Sequence, residues 1–229
     1  MSHPAGPLLA FSVRLLCGAS ARWAGCRPEA TQRIYCANHT SHLDAVTIWS
    51  ALPPELRELT RPVAAADYWQ TGLRRFLAEK VFRAVLIDRG DPDAAPAERN
   101  LRAQAAVQKT AAAMGESDSL ILFPEGTRGP GEELLPLKSG IYHLCLMRPG
   151  VELVPVYLHN LSRVLPKGEF APVPLLASVT FGTPTRLGDG EGKDEFLTRL
   201  RQAIWELRKI GRAPSTASCS WFSAASSAS

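Results

Sequence analysis

The sequence predicts an α/β fold: a largely parallel or mixed central sheet flanked by helices, preceded by an N-terminal helix suited to a membrane interface. Short apolar runs alternate along the chain with segments of helical spacing, the pattern that builds parallel sheets through helical crossovers. Polar motifs follow directly on those runs, where an open parallel sheet places its ligands. Over 229 residues, a composition of 45% hydrophobic and 21% charged residues supplies one buried core and excludes a largely disordered chain.

The first element is the apolar stretch from Pro7 to Cys26, interrupted by Arg14 and Arg22. A bilayer span needs roughly 18 or more apolar residues with few charges. This segment therefore reads as a helix lying in the interface plane through Leu8, Leu9, Phe11, Leu15, Leu16 and Trp23, its arginines snorkelling; packing on its own domain is the equal alternative. Met1 to Gly6 carries no Lys or Arg, so a cleaved secretory signal is not expected. Arg33 to Ala37 reads as a buried strand, Pro53-Pro54 punctuates the next helix, and Pro62 to Ala66 is a weak strand. Tyr68 to Phe82 has helical spacing at Trp69, Leu73, Phe76, Leu77 and Val81, with Arg74, Arg75, Lys80 and Arg83 making it basic and amphipathic. Strands follow at Ala84 to Asp88, Leu120 to Phe123, Leu153 to Leu158 and Leu176 to Phe181. Helices are expected at Pro96 to Met114, Ser139 to Met147 and Asp194 to Lys209, the last with Phe196, Leu200, Ile204 and Leu207 on one side. Residues 213–229 are mostly Ser and Ala and are expected to be disordered.

The net charge of +4 and pI near 8.9 rest mainly on arginine, which pairs phosphate through two parallel hydrogen bonds. Phosphate-rich partners are favoured. No zinc-finger spacing and no run of consecutive Lys/Arg appears, so an anionic lipid surface is expected and nucleic acid is not. Five cysteines, Cys17, Cys26, Cys36, Cys145 and Cys219, are an odd number at wide spacing, which suggests a reducing compartment and no metal site. Gly188-Asp189-Gly190-Glu191-Gly192-Lys193 fits neither nucleotide-binding glycine spacing.

Two segments carry chemistry. Asn38-His39-Thr40-Ser41-His42-Leu43-Asp44 leaves a predicted strand and enters a helix. Positions five apart on a helix diverge by about 140° at ~3.6 residues per turn, so His39 must precede the helix and fold back to meet Asp44. Its imidazole is then placed to take a proton from a hydroxyl while Asp44 fixes the other ring nitrogen. Structurally, Ser41-x-x-Asp44 also fits a variant capping box, with Asp44 accepting backbone N–H groups. The second segment, Phe123-Pro124-Glu125-Gly126-Thr127-Arg128, turns sharply at a strand end and presents a carboxylate, a hydroxyl and a guanidinium suited to phosphate.

Together, His-x4-Asp and the downstream Phe-Pro-Glu-Gly-Thr-Arg resemble the glycerolipid acyltransferase family that includes 1-acylglycerol-3-phosphate acyltransferases. Leu86-Ile87-Asp88-Arg89 resembles the family's arginine-ended strand, and Leu137-Lys138-Ser139-Gly140 the stretch after its Glu-Gly-Thr-Arg block. Val154-Pro155-Val156-Tyr157-Leu158 is similar to its valine-proline strand, with Leu158 where a second proline is often found. The chain is thus expected to divide into an interfacial helix over residues 1–30, an acyltransferase domain over 31–212, within which the resemblance falls, and the tail. The resemblance implies that His39, with Asp44, deprotonates the free hydroxyl of lysophosphatidate or a related lysophospholipid. That hydroxyl attacks the thioester of acyl-CoA or acyl carrier protein, with no cofactor and no acyl-enzyme. Arg89, Glu125, Gly126, Thr127, Arg128 and Lys138 would bind substrate, and backbone N–H groups around Gly126 would stabilise the oxyanion. A peripheral or monotopic position on the cytoplasmic face of a membrane follows. A non-catalytic phospholipid-binding protein of the same fold is the main rival; a lipid hydrolase lacks a serine elbow here.

Overall fold

The computed structural model describes residues 5–17, 20–69, 71–88, 90–91, 93–159 and 177–210. Seven strands form one sheet: β1 (Ser20–Trp23), β2 (Arg33–Ala37), β3 (Thr60–Ala65), β4 (Val85–Ile87), β5 (Ser119–Leu122), β6 (Glu152–His159) and β7 (Ser178–Phe181). Their order is β1-β7-β6-β2-β5-β3-β4, and every pairing is parallel except β6 with β7. The expected α/β architecture is therefore present. β2 sits at the centre, buried along its whole length, which is why after Arg33 its sequence runs apolar, Ile34-Tyr35-Cys36-Ala37, rather than alternating. Its register on β6 pairs Arg33 with Glu152, and the two side chains form an ion pair at 2.9 Å at the amino end.

Helices cover both faces, and β2 shows how. Ile34 and Cys36 point to one side, onto α5 (Pro96–Met114), α6 (Gly140–Met147) and α7 (Lys193–Ile210). Tyr35 and Ala37 point to the other, onto α1 (Ala5–Cys17), α2 (Asp44–Ala51), α3 (Pro54–Glu58) and the turn ending at Phe82. The period of two is that of any strand. In α7 the predicted stripe docks as expected: Phe196, Leu200 and Ile204 are fully buried, each contributing about 1.5–3 kcal/mol.

Two expectations for the N-terminal segment fail. The N-terminal helix ends at Cys17, and Ser20–Trp23 instead becomes the edge strand beside β7, with Trp23 stacked on Phe181 at 4.1 Å. Nor does Arg14 snorkel. Its Nε donates to the Ser50 carbonyl at 2.6 Å and its Nη2 to that of Leu52 at 3.1 Å, capping the C-terminus of α2. The helix packs inward through Ala10 and Val13 and leaves Leu8 and Phe11 exposed.

The segment from Tyr68 to Phe82 is not one helix. It divides into a 3₁₀ turn (Asp67–Trp69), α4 (Gly72–Phe76) and a π turn (Leu77–Val81). Gly72 takes φ +57°, so the helix restarts in a new phase, and the π turn shifts it again. Trp69, Leu77 and Val81 still join the core, whereas Leu73 is 72% exposed. The tail at 213–229 lies outside the described residues.

Candidate active site

The polar motifs meet at the carboxyl ends of β2 and β5, which lie side by side at the centre of the sheet. Asp44 begins α2 and is wholly buried. Its Oδ2 lies 2.8 Å from His39 Nδ1 and accepts the N–H groups of Thr40 at 2.6 Å and Ser41 at 2.9 Å. The residue before α2 is Leu43, not Ser41, so the expected capping box does not form; the Thr40 and Ser41 N–H groups instead hold, ahead of the helix, the same Asp44 oxygen that orients the imidazole. Because a carboxylate only accepts, His39 carries its proton on Nδ1 and keeps the Nε2 lone pair.

The β5 turn braces the same histidine from the other side. Glu125, itself buried, accepts the His39 N–H through Oε1 at 2.8 Å and the Leu135 N–H through Oε2 at 2.8 Å. Burial pushes its carboxyl pKa up, against the pull of those two bonds. The Gly129 N–H donates to the His39 carbonyl at 2.8 Å. Phe123 stacks on the imidazole with centroids 4.3 Å apart and planes 20° apart. Asn38 fastens the loop behind: its Nδ2 donates to the Leu158 carbonyl at 3.3 Å, and its Oδ1 accepts the Leu158 N–H at 2.7 Å. A proline at 158 would have no N–H to give.

A family model described as Acyltransferase matches residues 26–159, more than half of the chain. The chain belongs to the acyltransferase family. It is 32% identical over 140 residues to the 1-acyl-sn-glycerol-3-phosphate acyltransferase of Salmonella typhimurium, covering 56% of this chain and 47% of that protein. With the Limnanthes alba protein of the same name it is 28% identical over 185 residues, 80% of this chain and 61% of the other. The chain thus spans about half to three fifths of these relatives' own length. The crystal structure of the 1-acyl-sn-glycerophosphate acyltransferase PlsC from Thermotoga maritima superposes with a TM-score of 0.67, covering 91% of this chain and 79% of that one; at 16% identity the likeness is one of fold.

In this acyltransferase-family chain the other predicted residues are dispersed around the corner. Thr127, Arg128 and Lys138 are exposed beyond the turn, and among the described residues neither Arg128 nor Lys138 has a carboxylate partner. Gly126 has φ +69°, and a Cβ there would meet the Lys138 stem at 2.8 Å, so glycine lets the lysine lie across the turn. The Gly126 N–H itself closes that turn on the Phe123 carbonyl at 2.9 Å. Arg89 lies outside the described residues. The roles of Asn38 and of the Phe123 ring were missed from sequence, although both belong to the motifs that carried the resemblance. Cys36 and Cys145 are buried thiols, Cys36 pushed far up and Cys145 up to about 12 by desolvation, which leaves them poor nucleophiles.

Proposed function

We propose that the protein transfers a fatty acyl group from a thioester donor, acyl-CoA or acyl carrier protein, to the hydroxyl of lysophosphatidate or a related lysophospholipid. The observation that carries this reading is the buried Asp44 carboxylate 2.8 Å from His39 Nδ1, which leaves Nε2 to act as base. His39 Nε2 takes the acceptor's hydroxyl proton as the oxygen attacks the thioester carbonyl. The tetrahedral intermediate expels the carrier thiolate, which takes the proton back from the imidazolium, so no acyl-enzyme forms. Asp44 stabilises the imidazolium between these steps. Arg128 and Lys138, cationic and without carboxylate partners among the described residues, receive the acceptor's phosphate, and the names of the relatives support that acceptor.

The reaction takes place at an anionic membrane surface in this proposal. None of the described helices is long and apolar enough to cross a bilayer. Leu8 and Phe11 of α1 and Leu73 and Phe76 of α4 are exposed, which suits apolar side chains resting in the interface. The test is purified protein with labelled acyl donors, a panel of lysophospholipids and product identification, with His39→Ala alongside. Product from wild type and a loss of about 10²- to 10⁴-fold in a folded His39→Ala variant are expected; equal turnover by both removes the mechanism.

A further inference from the structure

Beside the catalytic loop, three side chains from separate segments form a stack. His42 lies parallel on the Tyr68 ring, centroids 4.5 Å and planes 14° apart, and the Arg74 guanidinium carbon sits 4.4 Å from the same ring's centre. His42 comes from the loop after β2, Tyr68 from the 3₁₀ turn after β3, and Arg74 from α4. In the sheet β5 lies between β2 and β3, so the stack spans the strand end from which the turn bearing Arg128 emerges.

Arg74 has no carboxylate partner among the described residues, like Arg128. Its neighbour Arg75, by contrast, pairs with Glu79 at 2.8 Å. Holding a guanidinium over an aromatic ring fixes its place without neutralising its charge. The field around the stack agrees: burial lowers the His42 pKa below 6.5, and the charges of Arg128, His39 and Arg74 lower it further, with Asp44 opposing. Arg74, held over Tyr68, and Arg128, on the turn that emerges beside the stack, are two guanidiniums without a carboxylate partner among the described residues, the charge complement of an anion.

We propose that Arg74, positioned by Tyr68 and His42, is a second phosphate-binding residue, sharing with Arg128 the phosphate monoester of the lipid acceptor. This rests on the acyl-transfer reading and deepens it. A phosphate monoester carries about −1.5 to −2 charges at neutral pH, which two guanidiniums balance, whereas a phosphodiester headgroup carries about half as much. The pair therefore selects a monoester acceptor over a diester one.

The test is equilibrium binding to the full chain of a short-chain 1-acylglycerol 3-phosphate kept below its micellar concentration. A glycerol phosphodiester of the same chain and the unphosphorylated 1-acylglycerol serve as comparison ligands. Arg74→Gln should weaken monoester binding about ten-fold, weaken the diester less and leave the unphosphorylated ligand unchanged. Arg74→Lys should fall between, because it keeps charge and loses the planar fork, and Arg75→Gln should match wild type. Unchanged monoester affinity in Arg74→Gln overturns the proposal, as does equal weakening of all three ligands. So does a loss confined to vesicles containing phosphatidylglycerol, which makes Arg74 a membrane contact. Wild type that binds the monoester yet transfers no acyl group keeps this site and removes acyl transfer; wild type that binds no monoester removes the site.

Discussion

Around His39, the side chains of Asn38, Asp44 and Glu125 are buried and bonded to backbone, whereas a loop away Arg74, Arg128 and Lys138 are exposed and lack carboxylate partners among the described residues. The difference follows from solvation. A buried polar group must find its partner inside the protein or cost free energy, so the catalytic corner is rigid before substrate arrives. An exposed cation is solvated at little cost and keeps its charge for a ligand. Replacements in the corner should therefore reduce turnover and stability, and replacements on the rim should weaken acceptor binding alone.

The largest effect that separates the two regions is expected at Asp44. Asp44→Asn should lose about 10²-fold or more in kcat, because a buried amide no longer holds the imidazolium, and should lower the melting temperature as well. Steady-state kinetics with calorimetry checks it; full turnover with lowered stability would reduce Asp44 to a helix cap.

Glu125 and Arg128 share one hexapeptide and should respond in opposite ways. Glu125→Gln puts an amide N–H₂ against one of two backbone N–H groups, and denaturant unfolding should show a loss of about 1–3 kcal/mol. Arg128→Gln should leave unfolding unchanged and raise the acceptor KM. If both variants behave alike, the contrast between corner and rim fails.

A smaller loss, about 1–2 kcal/mol for a buried acceptor left unpaired, is expected for Leu158→Pro, which removes the N–H bonded to Asn38 Oδ1. The accompanying fall in kcat at constant donor KM measures how far that clamp positions His39. The smallest effect concerns His42. Its pKa is held below 6.5, so the unfolded chain takes up the proton first and stability is lost as pH falls through 6.5. Melting curves at pH 7.5 and 5.5 should show that His42→Gln loses less on acidification than wild type.

The fold was legible wherever local spacing and burial agree. β2, α5 and α7 lie where the apolar runs and periods put them, α5 opening on Pro96. β1 was not legible, because Ser20-Ala21-Arg22-Trp23 is a strand by virtue of pairing with β7 and has no alternation of its own. The segment after β3 was misread because its apolar period assumes an unbroken helix, which the positive φ of Gly72 interrupts.

By itself the sequence determined the central strand, the loop in which His39 and Asp44 can meet, and the hexapeptide turn, since each depends on residues close in the chain. Only the tertiary structure decided that Glu125 bonds the His39 backbone, that Phe123 covers its ring, that Leu158 clamps Asn38 and that Tyr68 carries both His42 and Arg74. Those contacts join distant segments. They depend on strand order and on which side chains the sheet brings to one edge, and neither composition nor period encodes that choice.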